Sequence, residues 1–577
     1  MASKITSSST AEYFSKNLQQ VGFSSGTKAV LTTLKEAVDN SLDACEDHGI
    51  LPEIWIEVQK MGNGTQKNMD SIRIRVTDNG PGLDPDDLPR VFGEYLASSK
   101  FGRGRCSRGQ QGIGISAATT WAQLTSAKGV RVITKTAKMR QALTGLVEVD
   151  IKNNRGVLKD KESVSWDRES GVSVEFIIDG RLQLNGEAGL MTYLTGTSIV
   201  NPHLTLRYQI NEDPVVVMER VTQEKIQIPE PVPPHPHTMK LGEFISHAHL
   251  FGKTPLGNFL KKGFSRIGDD TLKELVKDQG IKKAWIDTPV TQLEDAQVRA
   301  AYTGLQNLKL MAPSTRSVFS IGETGLSASI NRLGEVDFFS VVSRKPTICD
   351  AKPVVVEVAV ARFKTGGGDA DDPVQVLRFA NRVPLQFDKS ACAIVRAIES
   401  VNWKTYGLAQ PKNSIPLGPY VVAVSVVSPF IKFKNASKET IDASDELVEE
   451  LRLALIQAGQ RLSRYINKEK READLEQKIR HIEQFGPVLI EGIGRIVKAP
   501  ETRLQKAREG LMKLLGRDAA AAEDELQTAV EKHAKIAAKQ AAILGEGESP
   551  EGDGEDTENG KGKKSKNAKN PKQESLL

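Results

Sequence analysis

Three short stretches near the start of the chain carry residue types that can bind and attack a phosphate. The first is Thr33-Leu-Lys-Glu-Ala-Val-Asp-Asn-Ser-Leu-Asp-Ala44. On a helix, Glu36, Asn40 and Asp43 share one face at i, i+4 and i+7. An amide oxygen one turn beyond a carboxylate suits a magnesium ion and leaves the carboxylate free as a general base. Asparagine is a poor helix-interior residue, so its place here asks for a reason. The second stretch, Ile72-Arg-Ile-Arg-Val-Thr-Asp-Asn-Gly-Pro-Gly82, ends in a carboxylate, Asp78, followed by glycines at 80 and 82. A carboxylate at such a mouth can accept a hydrogen bond from an exocyclic amine such as that of adenine. The third is Ser98-Ser99-Lys100, then Arg108-Gly-Gln-Gln-Gly-Ile-Gly-Ile-Ser116. A glycine-rich loop opening a helix presents backbone N–H groups to phosphate.

The elements that must position these groups are legible around them. Leu34, Val38 and Leu42 recur at i, i+4 and i+8, which predicts a helix with its apolar face away from Glu36. Ile72, Ile74 and Val76 alternate, as in a strand with one buried face, and the strand ends at Asp78. Ile113-Gly-Ile-Ser-Ala-Ala-Thr-Thr-Trp-Ala-Gln-Leu124 reads as a helix behind the glycine loop. Each stretch alone also fits a plainer description: an amphipathic helix with a solvated polar face, a DNGPG turn, a glycine loop. The loop matches neither GxxxxGK[ST] nor GxGxxG.

The chain of 577 residues is too long for one hydrophobic core, which predicts several domains. A hydrophobic fraction of 39% and a charged fraction of 26% suit a globular protein. No apolar run is long enough to span a bilayer and the N-terminus lacks a signal-peptide core, so a cytoplasmic chain with no membrane contact is expected. The four cysteines, at 45, 106, 349 and 392, include no CxxC pair, which argues against a disulfide framework or a structural zinc. A net charge of +5 permits nucleic-acid binding by local patches without demanding it. Boundaries are expected at a proline-rich stretch, 229–237, and near 311, giving domains at 1–228, 229–311 and 312–470. The middle domain has a helical pattern. In the last of the three, 354–363 and 420–431 read as buried strands. A long helix is expected from about 444, with Leu447, Leu451, Leu455 and Leu462 on one face, then further helix over 471–544. The polar end, 545–577, has the composition of a disordered tail.

Taken together and in this order, the three stretches resemble the ATP-binding fold shared by DNA gyrase, ATP-dependent chaperones, histidine kinases and MutL-type repair proteins. Residues 36–43 satisfy its E-x-x-D/N-N-x-x-D helix motif in full. The usual late Gly-Thr has two candidates: Gly171-Val172, with valine for threonine, and Gly196-Thr197. The rest of the chain resembles the B subunits of topoisomerase VI over roughly residues 10–500. The segments that carry this include Ile199-Val-Asn-Pro-His203, Val232-Pro-Pro-His-Pro-His237, Arg378-Phe-Ala-Asn-Arg-Val-Pro-Leu385 and Trp403-Lys-Thr-Tyr-Gly407.

The resemblance implies an α+β multidomain chain. Its parts would be an N-terminal GHKL (Bergerat) ATPase α/β sandwich, a helix–two-turn–helix-like insert and a transducer domain with a long C-terminal helix. It implies ATP and Mg2+ as cofactors. Glu36 would activate water, Asn40 would bind magnesium, and Asp78, with Gly80 and Gly82, would meet the adenine. Ser99, Lys100, Gly109, Gln110, Gln111, Gly112, Ile113, Gly114, Ile115 and Ser116 would enclose the triphosphate. A transducer lysine would reach the γ-phosphate, and of Lys432, Lys434 and Lys438 the last best matches its context. The implied partners are double-stranded DNA, a second copy on ATP binding, and a DNA-cleaving A subunit in a tetramer of two A and two B chains on the nucleoid. Lys261, Lys262, Arg266, Lys273 and Lys277 of the insert are candidate phosphate contacts, equally readable as a solvated surface. The same ATP motifs would serve a MutL-type ATPase, which the helical insert disfavours, or an ATP-gated chaperone. A histidine kinase is disfavoured by the N-terminal place of the ATP motifs.

Overall fold

The computed structural model describes residues 8–98, 104–109, 111–226, 228–364, 369–412, 414–435, 437–513 and 515–516. Ser99, Lys100, Gln110 and the tail expected from 545 lie outside them. Residues up to Lys468 form one compact unit and those from Glu469 a second.

The first unit opens with helices α1 (Thr10–Lys16) and α2 (Gly26–Asp47). Ser25 caps α2 by accepting a hydrogen bond from Lys28 N, and the helix then runs without an interior glycine or proline. Strands β1 (Glu53–Asn63) and β2 (Asp70–Thr77) follow, then the short helix α3 (Leu88–Gly93) and α4 (Gly114–Ser126). Next come β3 (Val130–Lys135), β4 (Ala142–Asp150), β5 (Arg155–Val164), β6 (Gly171–Gly180), α5 (Leu190–Val200), β7 (Thr205–Ile210) and β8 (Val216–Met218). The sheet order is β5-β4-β3-β6-β2-β1-β7-β8. Only the β1–β7 pair is parallel. Ile72, Ile74 and Val76 of β2 are buried with Leu34, Val38 and Leu42 of α2, so helices cover this face. The other face is charged, with Arg75 bridging Glu57 and Glu175 across three strands.

The proline-rich stretch is packed rather than free. His235 and His237 approach the carbonyls of Met311 and Leu305 through Nε2, which ties it to the helices of residues 241–307. Those helices close on their own core of Phe244, Phe259, Phe264, Leu275 and Leu305.

A second sheet follows: β9 (Val336–Ser343), β10 (Thr347–Cys349), β11 (Lys352–Phe363), β12 (Gln375–Ala380), β13 (Val383–Pro384) and β14 (Val421–Val427), in the order β10-β11-β14-β12-β13 with β9 on β11. The nearly continuous apolar run of β11, interrupted by the buried Glu357, has a plain cause, because both its faces are covered. Val356, Val358 and Val360 pack on Leu451, Leu455 and Leu462 of the helix Asp445–Ile496, while Ala359 and Ala361 pack on Ile199 of α5. The strand expected over 420–431 stops at Val427. Ser428 N turns to Asn381 Oδ1, and Pro429 has no N–H to offer a ladder.

In the second unit the helix continues to Ile496, and residues 501–513 are helical as well. Leu504 and Leu511 lie against Gly494 and Gly486, as in two helices folded back on each other. No helix among the described residues is long and apolar enough to cross a membrane.

Candidate active site

Helix α2 carries three distinct faces. Leu34, Val38, Leu42 and Cys45 are fully buried against the sheet. Glu36, Ala37, Asn40, Ser41 and Ala44 line a cleft of about 450 Å³. Lys35, Asp39, Asp43 and Glu46 form a third face, charged and buried.

The cleft brings together most of the sequence-predicted residues. Glu36, Asn40, Asp78, Gly82, Gly109, Gln111, Gly112, Ile113, Gly114, Ile115 and Lys438 all line it. Gly80 and Ser116 do not. Gly80 serves Asp78 instead, its N–H donating to Asp78 Oδ1 at 2.9 Å. Ser116 is buried and donates to the carbonyl of Glu94 at 2.9 Å, so its side chain is turned away from the cleft.

Asp78 lies in the wall of the cleft and is buried. Its Oδ1 also accepts from Val172 N at 3.0 Å, and its Oδ2 accepts from Ser41 Oγ at 2.7 Å. Burial pushes its carboxyl upward, and these three donors oppose that. Three of about four lone-pair sites are thus used, which leaves one for a ligand amine. Of the two Gly-Thr candidates, Gly171-Val172 is at the cleft, with Val172 on its wall. Gly171 has φ of +140°, and a Cβ there would stand 2.2 Å from the carbonyl of Asp78, so no other residue fits. Gly196-Thr197 lies on α5 against Phe379 and Pro384, away from the cleft.

Elsewhere on the cleft wall, α4 begins without a side-chain cap. Its first amides have no intrahelical acceptor, and Ile113, Gly114 and Ile115 present that terminus to the cleft. Glu36 reaches the same point. A Cβ on Gly114 would lie 2.0 Å from Glu36 Oε2, so the carboxylate rests directly on the glycine. Asn40 is half-buried in the wall, and its amide makes no hydrogen bond among the described residues. No cluster of three His, Cys, Asp or Glu stands ready for a metal among the described residues. A magnesium ion here would therefore be held by the Asn40 amide oxygen together with phosphate oxygens and water, a donor set that magnesium accepts.

Lys438 enters from the second sheet's side. Lys432 and Lys434 are exposed, whereas Lys438 is buried, lines the cleft and donates from Nζ to the carbonyl of Arg108 at 2.8 Å. Its φ is +53°, a left-handed conformation that a lysine adopts only under constraint. The constraint is visible on both sides: Lys438 N bonds Asn435 O, and the next residue, Glu439, pairs with Lys28 of α2 at 2.9 Å.

Sequence reasoning missed the third face of α2. Arg108, just ahead of the glycine loop, is held by Asp43 Oδ1 at 2.8 Å, Glu46 at 2.8 and 2.9 Å, and Asn201 Oδ1 at 2.5 Å. Arg382 grips Glu46 through both its terminal nitrogens, and His203 approaches it at 2.9 Å. Burial pushes the Glu46 carboxyl up, but the two guanidiniums outweigh it and hold it well below the carboxylate range. Asp39, by contrast, is pushed up to about 7 by burial, with Lys35 only partly opposing it. Asp43, expected on the phosphate-facing side, belongs to this face. The signal was present in the segments Ile199–His203 and Arg378–Leu385, which supply Asn201, His203 and Arg382.

In the insert, Lys261 pairs with Asp269, Lys273 pairs with Asp270, and Arg266 donates to the carbonyl of Ala312. Lys262 and Lys277 are exposed.

Residues 27–156 match the family described as histidine kinase-, DNA gyrase B- and HSP90-like ATPase, and residues 313–478 match the topoisomerase VI B subunit transducer. The chain is 35% identical over 474 residues to the B subunit of type 2 DNA topoisomerase 6 from Archaeoglobus fulgidus, covering 82% of this chain and 76% of that one. It is 35% identical over 472 residues to the protein of the same name from Methanococcoides burtonii, covering 81% and 74%. Against that of Pyrococcus abyssi it is 30% identical over 554 residues, covering 88% and 94%.

Proposed function

Because the chain belongs to the topoisomerase VI B subunit family, we propose that it is the ATP-binding and ATP-hydrolysing subunit of a type II DNA topoisomerase, one that relaxes and decatenates DNA with a DNA-cleaving A subunit. The observation that carries the reading is that Glu36 and Lys438, about four hundred residues apart in sequence, line one cleft.

ATP would lie with its adenine at Asp78 and its phosphates at the N-terminus of α4. Asn40 would hold a magnesium ion, which when bound neutralises charge on the phosphate oxygens. Glu36 would take a proton from the attacking water, and Lys438 would pair with the γ-phosphate. Two copies closing on ATP and reopening after hydrolysis would then gate a DNA segment.

The helix of residues 445–496 is the proposed route to the partner. Phe485, Val488, Leu489, Ile493 and Ile496 are exposed along its last turns, an apolar stripe that suits a protein contact. A tetramer of two A and two B chains on the nucleoid follows as part of the proposal. Of the insert's basic residues, Lys262 and Lys277 are the ones this reading would place on DNA. The domain limits of 228, 311 and 470 belong to the same reading.

The test is relaxation of supercoiled plasmid by the purified chain with ATP, with and without its DNA-cleaving partner. Relaxation is expected only with both and should vanish with Glu36→Ala, which should still bind ATP. Rapid turnover by Glu36→Ala would remove that residue from its role. ATP turnover unaltered by duplex DNA would favour the chaperone reading.

A further inference from the structure

The buried charged face of α2 is larger than an ATP cleft needs. Lys35, Asp39, Asp43 and Glu46 meet Arg108, Arg382, Lys438 and His203, all buried. Burial keeps His203 toward its neutral form, against the pull of Glu46. The cations of this cluster are thus Lys35, Arg108, Arg382 and Lys438, and the carboxylates are Asp39, Asp43 and Glu46 with the buried Glu439 beside Lys35. The ammonium of Lys438 donates to the carbonyl of Arg108 and to no carboxylate among the described residues.

The bonds form a closed path. Arg382, in the turn after β12, grips Glu46 at 2.7 and 2.5 Å. Glu46 grips Arg108 at 2.8 and 2.9 Å. The carbonyl of Arg108 accepts from Lys438 at 2.8 Å. Arg382 and Lys438 both come from the second sheet and are tied to the same strand. Asn381, next to Arg382, accepts from Ser428 N at the end of β14 and donates to Val426 O, and β14 leads into the loop that carries Lys438. The second sheet therefore holds Arg108 from two sides, once through Glu46 and once through Lys438. Arg108 in turn sits one residue ahead of the loop that encloses phosphate, and Asp43 Oδ2 accepts from the N–H of Gly109, the loop's first residue, at 3.2 Å.

We propose that the Arg382–Glu46–Arg108 cluster is the fixed point against which Lys438 moves. On this account the carbonyl of Arg108 is the lysine's resting acceptor, and Arg382 and Glu46 are positioning residues that set how far it reaches. When a γ-phosphate is present, Lys438 leaves the carbonyl for it while the Arg382 grip stays closed. The transducer sheet then pivots about Glu46 instead of sliding along α2. The inference rests on the proposed role of Lys438.

The experiment compares Arg382→Met, Lys438→Ala and the double variant in the full chain. Glu46 keeps Arg108 and His203 when Arg382 is lost, so its carboxylate is not orphaned. Each is measured for kcat and KM with ATP, for ADP affinity by calorimetry, and for melting. Arg382→Met should lower kcat about tenfold, within the usual range of coupling between sites, and change ADP affinity less than about twofold. The double variant should be no slower than Lys438→Ala alone. Arg382→Lys keeps the charge but lacks the fork, and should stay slow. It also serves as the reference if the methionine variant melts early. Additive losses, a parallel loss of ADP binding, or full rescue by lysine would show that Arg382 only supports the fold. A Lys438→Ala chain with unchanged turnover would instead overturn the lysine's role itself, and the pivot with it.

Discussion

Substituting Gly114 by alanine isolates the position of the candidate base from everything else. The new Cβ would stand 2.0 Å from Oε2, 2.1 Å from Cδ and 2.6 Å from Oε1 of Glu36. Ordinary contact is about 3.5 Å, so the carboxylate must retreat by roughly 1.5 Å. The obstacle is the end of a flexible side chain, so the move is cheap in stability. Alanine is also the better helix former at the start of α4. For catalysis it is not cheap: a misplacement of about 1 Å costs on the order of a hundredfold, or roughly 2.7 kcal/mol of barrier. We therefore expect Gly114→Ala to lower kcat about a hundredfold with ADP affinity and melting temperature near those of the wild type. Combined with Glu36→Gln it should be no slower than Glu36→Gln alone. The assay is steady-state ATP hydrolysis alongside calorimetric ADP binding. Turnover within about twofold of wild type would refute the placement of Glu36 against Gly114.

Lys438→Ala should lower turnover by about a hundredfold, as for a lost donor to a developing phosphate charge, whereas the exposed Lys434 should tolerate alanine. A larger effect at Lys434 in the same hydrolysis assay would mean the wrong lysine has been chosen. Asp78→Asn places an NH2 group or a weaker acceptor against the N–H donors of Gly80 and Val172. ATP and ADP affinity should both fall about tenfold or more by calorimetry, since both share the adenine. A loss confined to ATP would put Asp78 elsewhere. Asp39 makes a pH-dependent prediction. Its carboxyl moves from an ordinary 3.8 to about 7 in the fold, so its contribution is full below the lower value and is lost as pH rises through the upper one. Asp39→Asn should therefore stabilise the chain more at about pH 8 than at about pH 5, with a ceiling of roughly 4 kcal/mol. A urea-unfolding gain that does not grow with pH would contradict this.

Two faces of α2 were legible in the sequence and the third was not. Leu34, Val38 and Leu42 at helical spacing announce a core, and Glu36 with Asn40 announces a ligand-facing side. Asp43 read as more of the same polar face and Glu46 was not singled out, because nothing local distinguishes a solvated carboxylate from a buried one. Their burial is decided by Arg108 and Arg382, 62 and 336 residues from Glu46. Local patterning cannot encode a partner at that distance. Of the second sheet, β11 and β14 were legible because their runs are nearly all apolar, broken in β11 by the buried Glu357, whereas β9, β10, β12 and β13 were not read as strands. The end of β14 was misjudged because Phe430 and Ile431 extend the apolar run past the Ser428 turn. Ser116 was drawn into the phosphate site by its place in the motif, yet its hydroxyl is committed to the backbone of Glu94.

A switch needs a ligand that interacts differently with two states. On the proposed reading, ATP and ADP present the same adenine to Asp78 and differ only where Lys438 ends. Without a γ-phosphate the ammonium has a neutral carbonyl; with one it has a charge, inside a buried site where charge pairs count for more than in water. The difference between the two nucleotides is therefore concentrated on one side chain at the tip of a strained loop. How much of it reaches the second sheet depends on what else can yield. The loop is held by Lys28 through Glu439, and the sheet by Glu46 through Arg382, both on the same helix. On the proposed pivot, a helix gripped near both ends would convert a small displacement at the phosphate into rotation of the sheet. The buried charged face of α2 would, on that same pivot, serve this coupling and not the binding of adenine.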